Sequence, residues 1–173
     1  MLDLKMIVGV SENNVIGTAE NNIPWRYKED MQRFKKLTTD KTVIMGRKTF
    51  ESMRSVPLPN RKNIILSKTL KEVNGCEVYS DPAKLLLFLE GDCWVIGGAE
   101  IYSLFMPYAS YIDLTIVPEE YTIEPSVKFP TLSQDMWELV YETKTEITDT
   151  DKCLIHKEYN NKMFLAALSS YTF

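Results

Sequence analysis

Histidine is nearly missing from this 173-residue chain, with His156 the only one, and cysteine is limited to Cys76, Cys93 and Cys153. A lone histidine in a late strand pattern, with no acidic or cysteine partner at a readable spacing, supports neither a histidine-based triad nor a multi-histidine metal site. It reads as a structural or surface residue. Three scattered cysteines fit neither a disulfide framework nor a zinc site, and they point to a reducing, cytoplasmic setting. No apolar run approaches membrane-spanning length, and Asp3 and Lys5 interrupt any signal-like start. With a formal charge of −4, the chain has no broad field to attract nucleic acid, and Lys35-Lys36 reads as a solvated helix face. G-x-G-x-x-G and Walker loops are both absent, as are internal repeats, low-complexity stretches and linkers.

What is present is an alternation of short apolar runs with helical patterns. Residues 6–10, 42–45, 63–66, 76–79, 93–96 and 112–117 read as strands. Helical spacing falls over 25–37, 48–53, 82–89 (with Asp81 as cap) and 99–106. Two further strands, 137–146 and 152–159, close the pattern without helices between them. This order predicts a single α/β domain over residues 1–160. Its central sheet is mixed but mainly parallel, with an antiparallel C-terminal edge and flanking helices. Residues 161–173 form a short apolar tail. Residues 11–24 and 121–130 read as polar loops, the first a candidate mobile element.

One acidic residue stands out. Tyr27, Asp30, Met31 and Phe34 recur at i, i+3, i+4 and i+7, so a helix places Asp30 on its apolar face. Burying an unpaired carboxylate is costly. Asp30 therefore either reaches solvent or meets a cationic or multi-donor ligand. Two glycine sites, Gly46 in Met45-Gly46-Arg47-Lys48-Thr49 and the pair in Ile96-Gly97-Gly98-Ala99-Glu100, sit where strands end and helices begin, the place where open α/β sheets bind ligands. Alone, such glycines indicate turn geometry. Adjacent Arg47, Lys48 and Thr49 suit an anionic phosphate.

Taken in order, these segments resemble dihydrofolate reductase. The matching pieces are Val15-Ile16-Gly17, Ile23-Pro24-Trp25, Asp30 with Phe34-Lys35, Val43 to Phe50, Pro57 to Ser67, Val95 to Tyr102, Leu114-Thr115 and Phe129-Pro130. They span roughly residues 4–159. The resemblance implies reduction of 7,8-dihydrofolate by NADPH, by hydride transfer from nicotinamide C4 to pterin C6 and water-mediated protonation of N5. It also implies inhibition by antifolates such as methotrexate or trimethoprim. It assigns catalytic roles to Asp30, Trp25 and Thr115, Asp30 accepting a fork of N–H donors from the pterin edge while Thr115 steadies it. Ile7, Val8, Met31 and Ile96 would face the pterin, Phe34, Met53 and Leu58 the benzoyl group, and Arg61 the glutamate carboxylate. The cofactor would lie against Val8, Ile16, Gly17, Gly46, Arg47, Lys48, Thr49, Leu66, Ser67, Lys68, Ile96, Gly97, Gly98, Ala99, Glu100, Ile101 and Tyr102. The glycine pair would carry a cis peptide bond, and Arg47 with Lys68 would meet the 2′-phosphate. No metal is expected.

The lid-like loop 11–24 departs from one bacterial pattern. Asn21-Asn22 lengthen it, and Ser126, after Pro125, stands where an acidic partner would hold it. Phe50 replaces a tryptophan. Two other readings stay open on sequence alone: a pyrimidine reductase of riboflavin synthesis with the same glycine pair, against which Asp30 and Arg61 argue, and a non-catalytic protein acting through its apolar tail. A monomer is expected, with the tail able to contact a partner or pack on the domain.

Overall fold

The structure, a computed structural model, describes residues 1–20 and 22–164. Ten strands and four helices run in the order β1 (Leu2–Val10), β2 (Val15–Thr18), α1 (Lys28–Thr38), β3 (Thr42–Gly46), α2 (Arg47–Ser52), β4 (Lys62–Leu66), β5 (Cys76–Tyr79), α3 (Pro82–Phe88), β6 (Gly91–Gly97), α4 (Ala99–Phe105), β7 (Tyr111–Ile116), β8 (Ser126–Lys128), β9 (Trp137–Glu146) and β10 (Cys153–Asn161). Eight strands form one sheet in the order β5-β4-β3-β6-β1-β7-β10-β9. The first six are parallel, while β10 runs antiparallel to both β7 and β9. This is the α/β domain expected from the sequence, with its antiparallel C-terminal edge.

The sheet is covered on both faces, which the period-two pattern of β1 makes legible. Leu4, Met6, Val8 and Val10 join one core with Ile44, Val95, Leu85 of α3, and Tyr102 and Phe105 of α4. Ile7 points the other way, into a second core with Val43, Met45, Phe50 and Trp94, onto which Phe34 and Leu37 of α1 pack. Asp81 caps α3 by accepting from the backbone N–H groups of Ala83 and Lys84, as expected.

Two elements differ from expectation. β2 and β8 form a separate two-stranded antiparallel ribbon inside the segments read as polar loops. The candidate lid is thus partly ordered by pairing, and its root is tied further by Asn14 Nδ2 donating to the Phe129 carbonyl at 2.7 Å. Helix α1 begins at Lys28 rather than Trp25. Residues 25–27 are occupied elsewhere: Trp25 and Tyr27 pack on Val117, Ile147 and Leu154, and the Tyr27 hydroxyl donates to Glu119 at 2.5 Å. The apolar tail segment read at 163–168 lies, beyond Phe164, outside the described residues.

Candidate active site

A cleft of about 1330 Å³ opens where the C-terminal parts of β1 and β6 meet the first turns of α1 and α4. This is the place the parallel topology favours for a ligand. Its wall carries Ile7, Val8, Ile16, Gly17, Trp25, Asp30, Met31, Phe34, Thr49, Met53, Leu58, Arg61, Ile96, Gly97, Gly98, Ala99 and Tyr102. Most of the residues singled out in the sequence are therefore brought together. Met31 lines the cleft but is largely solvent-exposed rather than packed, because α1 turns that edge outward.

Asp30 is half-buried, on the face of α1 that looks onto β7. Two residues per strand repeat and three per helical step bring two pairs into register: Asp30 over Thr115, and Arg33 over Asp113. Arg33 grips the buried Asp113 with two parallel bonds, Nε to Oδ1 at 2.9 Å and Nη2 to Oδ2 at 2.5 Å. Thr115 is not on the cleft wall. It lies behind Asp30, paired across the sheet with Gly9, which Asp30 Oδ2 overhangs, and its hydroxyl pulls the carboxyl pKa down. Burial, and secondly the nearby Asp113 charge, push the Asp30 carboxyl up to about 6, against the pull of Thr115 and Arg33. A carboxyl poised there can hold or release a proton near neutrality, as acid–base chemistry requires.

At the cleft mouth Arg61 is aimed by two contacts. Its Nε donates to the Pro59 carbonyl and its Nη1 to Thr38 Oγ1, both at 3.0 Å. The guanidinium lies 5.8 Å from the Phe34 ring centroid, a geometry suited to holding a planar carboxylate beside an aromatic ring.

Opposite Asp30, β6 ends in Gly97-Gly98, joined by a cis peptide bond. Gly97 has φ +118, and a Cβ there would sit 3.2 Å from the buried Tyr102 ring. The Tyr102 hydroxyl donates to the Ile7 carbonyl at 2.7 Å, linking α4 to β1 across the back of the cleft. A second cavity of about 470 Å³ adjoins the first through Asn22 and Ser52 and is lined by Arg47 and Lys48. Arg47 is not idle there: Glu51, one helical turn on, accepts from its Nη1 at 2.8 and 2.9 Å. The remaining expected cofactor contacts stand outside both cavities. Gly46 is buried against Ile101, where a Cβ would lie 3.0 Å from Cγ1. Ser67 Oγ accepts from the backbone N–H groups of Thr69 and Leu70, shaping the turn after Leu66, and Lys68 and Glu100 are exposed.

Three features of the site escaped the sequence reading. Gly9 passes close to Asp30, so that a Cβ there would stand 3.4 Å from Oδ2; a glycine inside a strand is the available signal for such an approach. The Arg33–Asp113 pair and His156 were the others. His156 is buried, and its ring nitrogens meet Thr115 Oγ1 at 2.8 Å and Thr145 Oγ1 at 3.0 Å. It has hydroxyl partners where the sequence offered none.

Comparison with known proteins agrees with this geometry. The family profile described as dihydrofolate reductase matches residues 3–161. The dihydrofolate reductase of Bacillus subtilis (strain 168) is 39% identical over 140 residues, covering 79% of this chain and 81% of its own. That of Neisseria meningitidis serogroup A / serotype 4A is 34% identical over 161 residues, covering 90% and 98%. Among solved structures, dihydrofolate reductase from Enterococcus faecalis, complexed with NADP(H) and RAB-propyl, superposes with a TM-score of 0.83 at 27% identity, covering 92% of this chain and 96% of that one. On fold, cleft and sequence together, the chain belongs to the dihydrofolate reductase family.

Proposed function

We propose that the cleft binds 7,8-dihydrofolate with its pterin against Asp30 and its glutamate tail at Arg61, and that the protein reduces it to tetrahydrofolate for one-carbon and thymidylate metabolism. The carrying observation is a half-buried carboxylate, Asp30, that shares one cleft with Arg61 and the Gly97-Gly98 turn.

The hydride for reduction of pterin C6 would be supplied by NADPH. The residues present suit such a cofactor: Arg47 and Lys48 line a polar cavity that adjoins the cleft, and cations there would hold its phosphates. Thr49, Gly97, Gly98 and Ala99 line the cleft itself, and Thr49 Oγ1 would stand 3.5 Å from a Cβ at Gly98. Ionised Asp30 accepts a fork of N–H groups from the 2-aminopyrimidine edge, and Phe34 and Ile7 exclude water from that contact. Asp30 sits at the edge of the pterin remote from N5, so the N5 proton arrives by water under its electrostatic influence rather than directly. Trp25, at the cleft wall beside Asp30, limits how much water enters. The β2–β8 ribbon acts as a lid; Ser126 stands where an acidic residue would hold it, and donates through Oγ to the neighbouring Glu124 at 2.9 Å while pairing with Thr18 in the ribbon.

Mixing the protein with 7,8-dihydrofolate and NADPH should give methotrexate-sensitive loss of the NADPH absorbance band. Turnover with a phosphoribosylamino-pyrimidine and none with dihydrofolate would overturn the assignment. Two variants test its parts. Arg47→Ala should cost NADPH affinity at least tenfold while leaving NADH use nearly unchanged, since releasing Arg47 from Glu51 is part of binding the 2′-phosphate; retained selectivity would count against that role. Arg61→Ala should raise the KM for dihydrofolate by about 10- to 100-fold, the range of a lost charge-assisted pair, with kcat changed much less. An equal fall in kcat would place Arg61 elsewhere in the mechanism.

Among the described residues no helix is long and apolar enough to cross a membrane. We place the enzyme in the cytoplasm as a monomer of one domain ending near residue 160, a reading that the free Cys76, Cys93 and Cys153 support.

A further inference from the structure

A line of polar side chains crosses three strands beneath α1. It runs from His156 on β10 to Thr115 on β7 at 2.8 Å and to Thr145 on β9 at 3.0 Å, with the Asp30 carboxylate next to Thr115 over Gly9, the residue paired with Thr115. Thr115 and His156 are 2% and 4% exposed, so water cannot substitute freely for a lost partner. Proton counting fixes the direction of the line. An ionised carboxylate only accepts, a threonine hydroxyl carries one proton, and a neutral imidazole carries one N–H. If Thr115 gives its proton to Asp30, its oxygen is left to accept, and His156 must hold its proton on Nδ1. Nε2 then accepts from the Thr145 hydroxyl. One tautomer satisfies every member.

The charges around the ring favour that neutral form. Arg33 of α1 and Asp113 of β7 form a tight pair, and Glu158, two residues along β10, lies 3.5 Å from Arg33. Asp30 faces the ring only through Thr115, and β9 presents Thr143 and Thr145, with no charge, to this side. Burial and Arg33 together hold His156 below the ordinary imidazole range, against the weaker pull of Asp113.

We propose that His156 is a positioning residue for the catalytic carboxylate: by donating Nδ1–H to Thr115, it aims the single proton of the threonine hydroxyl at Asp30 and stabilises the ionised form. This rests on the assignment of Asp30 above. Without that donor, the Thr115 hydroxyl is free to turn its proton away from Asp30, which loses an interaction that favours its charge.

Two polar replacements separate positioning from packing. Asparagine at 156 can place an N–H where Nδ1 stands, whereas glutamine reaches only the Nε2 position. His156→Gln should raise the apparent pKa of single-turnover NADPH oxidation with dihydrofolate by roughly half to one unit, as should Thr115→Val, while His156→Asn should stay within about 0.2 units of the parent. Adding His156→Gln to Thr115→Val should produce no further shift. Equal shifts in the Gln and Asn variants, no shift in the Gln variant, or a full shift persisting in the Thr115→Val background would each overturn the proposal. Because the chain has one histidine, ¹⁵N-histidine labelling reads its tautomer directly in the ligand-free protein. Nδ1–H at pH 7.5 is expected, and Nε2–H would overturn the proposal independently of any kinetics. An Asp30→Asn pH profile matching the parent would instead overturn the Asp30 assignment, with the tautomer still reporting on the hydrogen-bonded line itself.

Discussion

Asp30→Asn is expected to make the ligand-free protein more stable at neutral pH and almost inactive. In the folded chain the Asp30 carboxyl is raised to about 6 from an ordinary value of 3.8, first by burial and then by Asp113. The folded state therefore holds a proton more tightly than the unfolded state does. This group's contribution to stability is fully present below about pH 4 and is lost as pH rises through 6, where the carboxyl ionises only in return for free energy. A shift of this size corresponds to an upper bound of about 3 kcal/mol at 1.36 kcal/mol per unit, and screening at a half-open site reduces it to roughly 2. An amide removes that cost. Thermal unfolding at pH 7.5 should rise by about 4–8 °C in a chain of this length, and the gain should vanish at pH 4. Turnover of dihydrofolate should fall by at least about 10²-fold, the scale of a lost acid–base or charge-assisted function. A variant less stable than the parent at pH 7.5 would show that the carboxylate is held by more favourable contacts than Thr115 and Arg33 supply.

Gly97→Ala should be damaging on two counts that can be separated. Gly97 has φ +118, a region that L side chains rarely adopt, and its Cβ would lie 3.2–3.3 Å from Cε2, Cζ and Oη of Tyr102. That ring has nowhere to go. It is buried, bonded to the Ile7 carbonyl at 2.7 Å, and packed edge-on against Phe129 with centroids 5.0 Å apart. Backbone strain and overpacking together should cost about 3–5 kcal/mol. Because the displaced atoms form the cleft wall, binding of NADPH, read by fluorescence, should weaken by at least tenfold in whatever protein remains folded. Gly91 supplies the comparison, with φ +68 but no atom within 4 Å of an added Cβ. Gly91→Ala should cost only about 1 kcal/mol and leave turnover intact. If the two variants behaved alike, the Tyr102 contact would carry no weight in the site.

Much of this arrangement was legible in the residue order, and the exceptions share a cause. Strands such as β3, β4 and β6 announce themselves because both faces are covered and their apolar runs are nearly continuous. β2 and β8 do not. They are four and three residues long, and the pairing that makes them strands joins residues more than 100 apart in sequence. Asp30 was legible because it interrupts an apolar stripe. Arg33 and Asp113 carry no such mark in the sequence, and Thr115 stood out only through the family resemblance. Only the packing of α1 over β7 and β10 turns those polar residues inward, where they pair with one another. His156 read only as structural or surface, because its partners are hydroxyls on neighbouring strands, which leave no spacing signature along the chain. Arg47 read as a phosphate-binding cation, and the helix also places Glu51 one turn away to hold it.

The most direct test of the account is the single-turnover rate of NADPH oxidation on mixing with 7,8-dihydrofolate, followed across pH 5 to 9 for the parent and Asp30→Asn. The account predicts a parent rate that changes with pH through the apparent pKa of the site, and an Asp30→Asn rate that is lower by at least about 10²-fold near neutrality and lacks that dependence. Equal rates with the same pH dependence in both proteins would contradict it, because the chemistry would then be running without the carboxylate around which the cleft is built.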